Sequence, residues 1–294
     1  MEILRFNSQC VSCILGKFLN KARDGTDEVT KLDYARKLLK IIADADNSVS
    51  APEIVAMATA LKNKTFGFSD DFAEIKRYFN DLMLSKEPDF RASIENSADP
   101  FKTAVKFALL GNYIDFGAMY SVSEEKLNDL IDTVETAELD QKEFGNFLRD
   151  LEKAETLVYL TDNCGEIVLD KLLVEQIKRR FPNISVKVIV RGQPVLNDAT
   201  EEDAAQVGLF DVTTVINNGT DIAGTCIKKL SEEARSLVEN ADVIISKGQG
   251  NFETLHHSGL NIYYIFLCKC DLFSDQFKVP KLTGMFLNDR RMSK

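Results

Sequence analysis

LVYLTDNCGEIVLD, residues 157–170, decides how the chain is read. It opens with four apolar residues, Leu157 to Leu160, and breaks into the polar turn Thr161-Asp162-Asn163-Cys164-Gly165-Glu166. The period then changes. Leu169, Leu172, Leu173 and Ile177 recur at helical intervals, and Lys178, Arg179 and Arg180 sit in the last turn. That order is strand, polar turn, helix. An acid and an amide at the carboxyl end of a strand, ahead of a positive helix N-terminus, make a hard, oxygen-rich site that suits a divalent cation with a phosphate ester. A plain helix cap by Asp162 or Asn163 accounts for the same pair. Taken alone, the turn leaves both readings open.

Downstream, apolar runs of strand length alternate with helical stretches: Val186–Val190, Val212–Ile216, Val243–Ile245 and Ile262–Leu267. They are rich in Val and Ile and lack strict alternation, as strands covered on both faces do. The alternation predicts a mainly parallel sheet with helices on both sides, and Met285-Phe286-Leu287 predicts a last edge strand. Upstream, the periodicity is helical. Helices are predicted from within residues 1–19, over Asp33–Ala45, from Ser50-Ala51-Pro52-Glu53 towards Leu61, from Ser69 to Met83, over Pro100–Leu110, over Ser123–Val134 and over Asp140–Ala154, the last charged and surface-facing. The fold class is therefore α/β: a helical domain over residues 1–154, then a three-layer α/β/α domain over 155–294 that holds the metal and phosphate groups.

In an open parallel sheet, ligands bind outside the carboxyl ends of the strands. The first run is followed by Asp162-Asn163. The second is followed by Arg191-Gly192-Gln193-Pro194 and then Asn197-Asp198-Ala199-Thr200. After the third come Asn217-Asn218-Gly219-Thr220-Asp221, and after the fourth Ser246-Lys247-Gly248-Gln249-Gly250-Asn251. Four such turns at one end of a sheet form one crevice. Asp162, Asn163 and Asp198 supply two carboxylates and an amide oxygen, an incomplete set of hard ligands that suits Mg²⁺ or Mn²⁺. Lys247 is a compact cation able to reach a phosphate. Gly248 and Gly250 let backbone N–H groups approach an anion. Arg191 is placed to touch phosphate or to form a salt bridge at the strand end. The Gly-x4-Gly-Lys-Ser/Thr order of a nucleotide-binding loop is missing, as is Gly-x-Gly-x-x-Gly after the first strand.

Thr161-Asp162-Asn163-Cys164-Gly165-Glu166-Ile167, Pro194-Val195-Leu196-Asn197-Asp198-Ala199-Thr200 and Lys247-Gly248-Gln249-Gly250-Asn251-Phe252-Glu253 resemble the DUF89 family of metal-dependent damage-control phosphatases. Gly111-Asn112-Tyr113-Ile114-Asp115, Cys10-Val11-Ser12-Cys13 and Lys269-Cys270 are similar to its mainly prokaryotic subgroup. The resemblance implies a helical domain on an α/β/α domain and a hydrolase for phosphate monoesters. It implies one divalent metal (Mg, Mn, Ni or Co) on Asp162, Asn163 and Asp198, with Lys247 on the phosphate. The substrate expected is a small phosphorylated metabolite, such as a sugar phosphate or a damaged phosphometabolite. On that reading the metal polarises the phosphorus centre, Lys247 and the N–H groups near Gly248, Gly250 and Asn251 neutralise charge, and a metal-held water or a free carboxylate attacks in line. Asn112 reaches the phosphate or sugar from the helical domain. Glu166 either orients the water or favours the helix N-terminus.

Composition bounds the alternatives. A formal net charge of -10 argues against nucleic acid or an anionic membrane as partner. No signal-like segment opens the chain and no apolar run approaches a bilayer span, so a cytoplasmic location is expected. Six cysteines in 294 residues are too few for a disulfide scaffold. Cys10, Cys13, Cys268 and Cys270 could supply four thiolates to a second metal, or pack as small hydrophobes. Cys164 lacks an evident base to activate it. Two other functions compete with hydrolysis: a carboxyl methyltransferase using S-adenosylmethionine, weakened by the missing glycine-rich turn, and a non-catalytic sensor of a phosphorylated ligand.

Overall fold

The computed structural model describes residues 6–21, 25–46, 48–113, 129, 133–134 and 137–292. Ile114, Asp115 and most of the helix predicted over 123–134 lie outside the described residues. The strands are β1 (Thr156–Leu160), β2 (Ser185–Val190), β3 (Thr214–Asn217), β4 (Val243–Lys247), β5 (Ile262–Leu267) and β6 (Gly284–Asn288). They form one sheet in the order β3-β2-β1-β4-β5-β6. The first five are parallel, and β6 closes the edge antiparallel to β5. The predicted mainly parallel sheet and its edge strand are both present.

Successive residues of a strand face opposite sides, and here both sides are apolar. Leu157, Tyr159, Val188, Ile245 and Tyr263 pack towards helices α4 (Ala73–Asn96), α5 (Pro100–Leu110), α6 (Gln141–Leu151), α7 (Glu166–Arg180) and α8 (Glu201–Gln206). Val158, Leu160, Ile189, Ile244 and Tyr264 face α9 (Glu232–Asn240), α10 (Gln249–Leu255) and α11 (Asp271–Phe277). Three layers result. The chain leaves β1 towards β2 and β3 on one side and later fills β4 and β5 on the other. This order reversal opens a crevice between the turns that follow β1 and β4.

Helices α1 (Ser8–Phe18), α2 (Glu28–Asp44) and α3 (Ala51–Phe66) bury a separate core of Ile14, Phe18, Tyr34, Leu38, Ile54 and Ala58. Asn7 and Asp27 cap the first two, and the predicted Ser50–Glu53 capping box starts the third. Gly67, at φ 69, ends it. Hydrophobic burial thus divides the chain differently from a boundary at 154/155, because α4, α5 and α6 share the core of the sheet. Helix α4 runs well past Met83, through Pro88, because Phe90 and Ile94 beyond the proline are buried in that core. Helix α6 is not merely surface-facing: Phe144, Phe147 and Leu151 form one buried stripe, with Phe147 against Tyr263 and Phe286.

Candidate active site

The turn after β1 and the loop after β2 are zipped together by backbone bonds. Cys164 N donates to Asn197 O (2.8 Å) and Ala199 N to Asp162 O (2.8 Å), and Asn163 lies opposite Asp198 in an antiparallel bridge. Three predicted ligands from two separate turns therefore stand together. Gly248, at φ 80, faces them across the crevice. A Cβ at that position would lie 2.1 Å from the Asp162 carboxyl, so only glycine fits. Gly250 and Gly192 are equally tight, against the backbones of Ala223 and Gly219.

Among the described residues, the hydrogen bonds leave one side-chain oxygen of each predicted ligand open. Asp162 Oδ2 accepts from Asn112 Nδ2 (3.1 Å) and Asn163 Nδ2 (2.7 Å). Asp198 Oδ2 accepts from Arg191 Nε (2.6 Å). Among the described residues, no hydrogen bond ends on Oδ1 of Asp162, Asn163 or Asp198. Burial, then the charges of Asp198 and Glu166, push the Asp162 carboxyl up to about 7, against the pull of Arg191 and Lys269. Burial also raises Asp198, opposed by Arg191. Acids crowded in this way are short of positive charge. The three open oxygens fit a divalent cation that keeps water or substrate among its ligands.

Lys247 is not where the sequence reading puts it. Its ammonium is fully buried, 2.6 Å from Glu166 Oε1 and 2.6 Å from Asp170 Oδ1. Those two carboxylates, outweighing burial, hold it up at about 12. Tyr159 Oη donates to the same Asp170 oxygen (2.6 Å). Glu166 is enclosed as well. Burial works against its ionisation, but Lys247 and the Asn112 amide hold it below the usual carboxylate range. Asn112 has its amide nitrogen on Glu166 and Asp162 and its oxygen on Leu267 N, so in this arrangement it braces the acids. Asn251 is spent on Thr161 O, Lys247 O, Thr225 and Arg191. Arg191 bonds Asp198, Gly224 O and Asn251, but among the described residues its buried Nη2 has no hydrogen-bond partner and lies 3.9 Å from Asp162 Oδ1.

The strand-end rule also covers Lys269, just past β5, which the sequence reading left without a role. Its charge acts on both Asp162 and Glu166, and among the described residues its ammonium is in no ion pair. The signal lies in the sequence: Lys269 follows the fifth strand-length run just as the other polar residues follow the first four. Asp170 was legible too, as an acid four residues after Glu166 on an otherwise apolar helix face. Cys164 is buried and its thiol is pushed far up by burial, which agrees with no nucleophilic role. Among the described residues, no three His, Cys, Asp or Glu side chains are grouped to hold a metal by themselves. Cys10, Cys13, Cys268 and Cys270 are in no such group among the described residues; Cys268 is buried and Cys13 exposed.

A doubly wound α/β sheet with paired acids at its switch point, roofed by helices, defines the class of protein. The sequence pattern of the damage-control phosphatase ARMT1-like domain matches residues 6–283. A damage-control phosphatase of Archaeoglobus fulgidus is 32% identical over 280 residues, 91% of this chain and 93% of that one. A damage-control phosphatase of Pyrococcus horikoshii is 30% identical over 284 residues, 95% of this chain and 96% of that one. The crystal structure of a DUF89 family protein from Pyrococcus horikoshii superposes with a TM-score of 0.80 at 29% identity, covering 98% of this chain and 100% of that one. The chain belongs to the damage-control phosphatase ARMT1-like, or DUF89, family. No helix among the described residues is long and apolar enough to cross a membrane.

Proposed function

We propose that this protein is a metal-dependent phosphatase that hydrolyses small phosphorylated metabolites, sugar phosphates or damaged phosphometabolites among them. The observation that carries the reading is that the turns of Asp162-Asn163 and Asp198 are bridged together while one side-chain oxygen on each of the three residues accepts no hydrogen bond among the described residues. Two relatives named damage-control phosphatases support it.

Asp162, Asn163 and Asp198 would hold the cation, which when bound supplies Lewis-acid polarisation of a phosphate oxygen. The chain's own cations complete the anion site. Arg191 Nη2, 3.9 Å from Asp162 Oδ1, and Lys269, whose charge reaches the same acid, would offer positive charge to the remaining phosphate oxygens. Backbone N–H groups open α10 after Gly248, where no side chain caps the helix. Lys247, with Asp170 behind it, fixes the Glu166 carboxylate against the Asn112 and Asn163 amides. Glu166 is thereby held ionised beside the site, able to accept a proton or to orient water.

The test is release of p-nitrophenol from its phosphate ester with Mg²⁺, Mn²⁺, Ni²⁺ or Co²⁺, with and without chelator, followed by a panel of sugar phosphates. Metal-dependent release that Asp162→Ala abolishes supports the proposal. Release that persists in chelator, or in Asp162→Ala with no metal bound, removes it.

A further inference from the structure

Helix α4 lies outside the sheet, yet two of its side chains are buried against the site. Lys76 and Asn80 are one turn apart on one face of that helix. Asn80 Oδ1 accepts the Gly165 N–H at 2.6 Å, in the turn that carries Asp162 and Asn163. Its Nδ2 donates to Asp203 Oδ1 (2.9 Å) and Gln206 Oε1 (2.8 Å). Lys76 Nζ lies 2.6 Å from Asp203 Oδ2. The same Asp203 oxygen accepts from Thr200 N (2.8 Å) and Thr200 Oγ1 (2.7 Å), two residues past Asp198. One carboxylate, Asp203, thus joins α4 to the loop of one predicted ligand, while Asn80 joins α4 and Asp203 to the turn of the other two.

The arrangement is hydrogen-bonded throughout and buried. Asn80 is 0% exposed and Asp203 4%. Gly165 has φ 71, and its buried N–H heads the turn into α7. Without the Asn80 oxygen that donor would be unpaired, and the turn would relax towards another acceptor. The direct backbone zipper between the two turns sets which residues face each other. The α4 side chains add a second tie from outside the sheet.

We propose that Asn80, backed by Lys76 and Asp203, is a positioning residue for the metal centre: α4 sets the spacing between Asp162–Asn163 and Asp198, so the helical layer completes the site. This rests on those three residues holding the cation. Groups behind metal ligands typically change affinity by about 10- to 100-fold when lost.

The test is Mn²⁺ titration of the whole protein, read as loss of the free-ion paramagnetic resonance signal, with melting in chelator measured in parallel. Asn80→Ala is expected to weaken Mn²⁺ binding by about tenfold or more while the metal-free protein still melts cooperatively. Asn80→Asp keeps the acceptor for Gly165 but sets a carboxylate against Asp203, and should weaken binding similarly. Combining Asn80→Asp with Asp203→Asn keeps the acceptor for Gly165 and restores the donor–acceptor pair between the two side chains, though not the bond to Gln206. It should recover most of the affinity that Asn80→Asp alone loses, a recovery that general damage to folding would not show. Parental affinity in folded Asn80→Ala, or no recovery in the exchanged pair, overturns the proposal. If Asn80→Ala does not fold, the exchange decides alone. Failure of the underlying reading is separable: then the parent protein fails to bind Mn²⁺, or Asp162→Ala binds it equally well.

Discussion

Lys247 Nζ lies 2.6 Å from Glu166 Oε1, and neither side chain touches solvent. With Asp170 at the same distance on the other side, one ammonium balances two carboxylates beneath the site. Removing the cation alone leaves two buried acids facing each other. Lys247→Met is therefore expected to cost about 3–5 kcal/mol of folding stability, read from urea denaturation. It should also abolish turnover, because Glu166 loses its anchor. A Lys247→Met protein that unfolds at the parental urea concentration would show that the triad contributes little.

Lys269 presents the opposite case, a half-buried cation whose charge reaches Asp162 and Glu166 and which is in no ion pair among the described residues. Lys269→Ala should lower kcat/KM for an aryl phosphate by about 10- to 100-fold, as expected for one lost charge-assisted bond of about 1.5–3 kcal/mol. Its melting temperature should stay within a few degrees of the parent. Steady-state kinetics beside a thermal melt checks both halves. Unchanged kinetics would assign the anion contact to Arg191 and the backbone.

Gly248 tests how tightly the crevice is closed. Gly248→Ala places a methyl where the Asp162 carboxyl stands and adds strain at φ 80 of about 1–3 kcal/mol. The carboxyl must swing away, so Mn²⁺ affinity and turnover should fall far more than the melting temperature does. Calorimetric titration of the folded variant measures this. Full metal affinity in Gly248→Ala contradicts the placement of Asp162.

The pH dependence follows from the sign of the Asp162 shift. Its folded value, about 7, is raised above that of an unfolded carboxyl, chiefly by burial and by Asp198. A raised acid stabilises the fold most when protonated, and that contribution is lost as pH climbs from the ordinary carboxylate range through about 7. The metal-free protein should therefore melt at falling temperatures between about pH 5 and 8. Saturating Mn²⁺ should stabilise it most at the upper end. Asp162→Asn should flatten the metal-free profile; a profile that keeps its full slope in this variant assigns the titration to other acids.

Glu253 gives a parallel test away from the ligands. Burial lifts it to about 7, with Gln249 its side-chain partner. Glu253→Gln should raise the melting temperature at pH 8 and leave it nearly unchanged at pH 5, because only the ionised form is disfavoured. Equal shifts at both pH values would show that packing, not charge, sets the difference.

Much of the fold was legible because local spacing encodes it. The Val- and Ile-rich runs sit where β1, β2, β4 and β5 lie, and the capping signals at Ser50 and Pro100 start real helices. The reach of α4 beyond Pro88 was not, since proline reads as a stop and only the buried Phe90 and Ile94 outweigh it. In the site, each strand-end turn announced its acids and glycines, so Asp162, Asn163, Asp198 and Gly248 could be grouped by rule. The roles of the cations could not.

The sequence by itself determined the alternation of strands and helices and the chemistry available at each strand end, because periodicity and side-chain type are local properties. Only the tertiary structure decided which charges meet. Lys247 turns inward to Glu166 and Asp170, 81 and 77 residues earlier in the chain, while Lys269 is in no ion pair among the described residues. Asn80 and Asn112, from helices before β1, brace the acids from outside the sheet. Pairing of buried charges depends on distance in space and on exclusion of water, and neither is written in the order of residues.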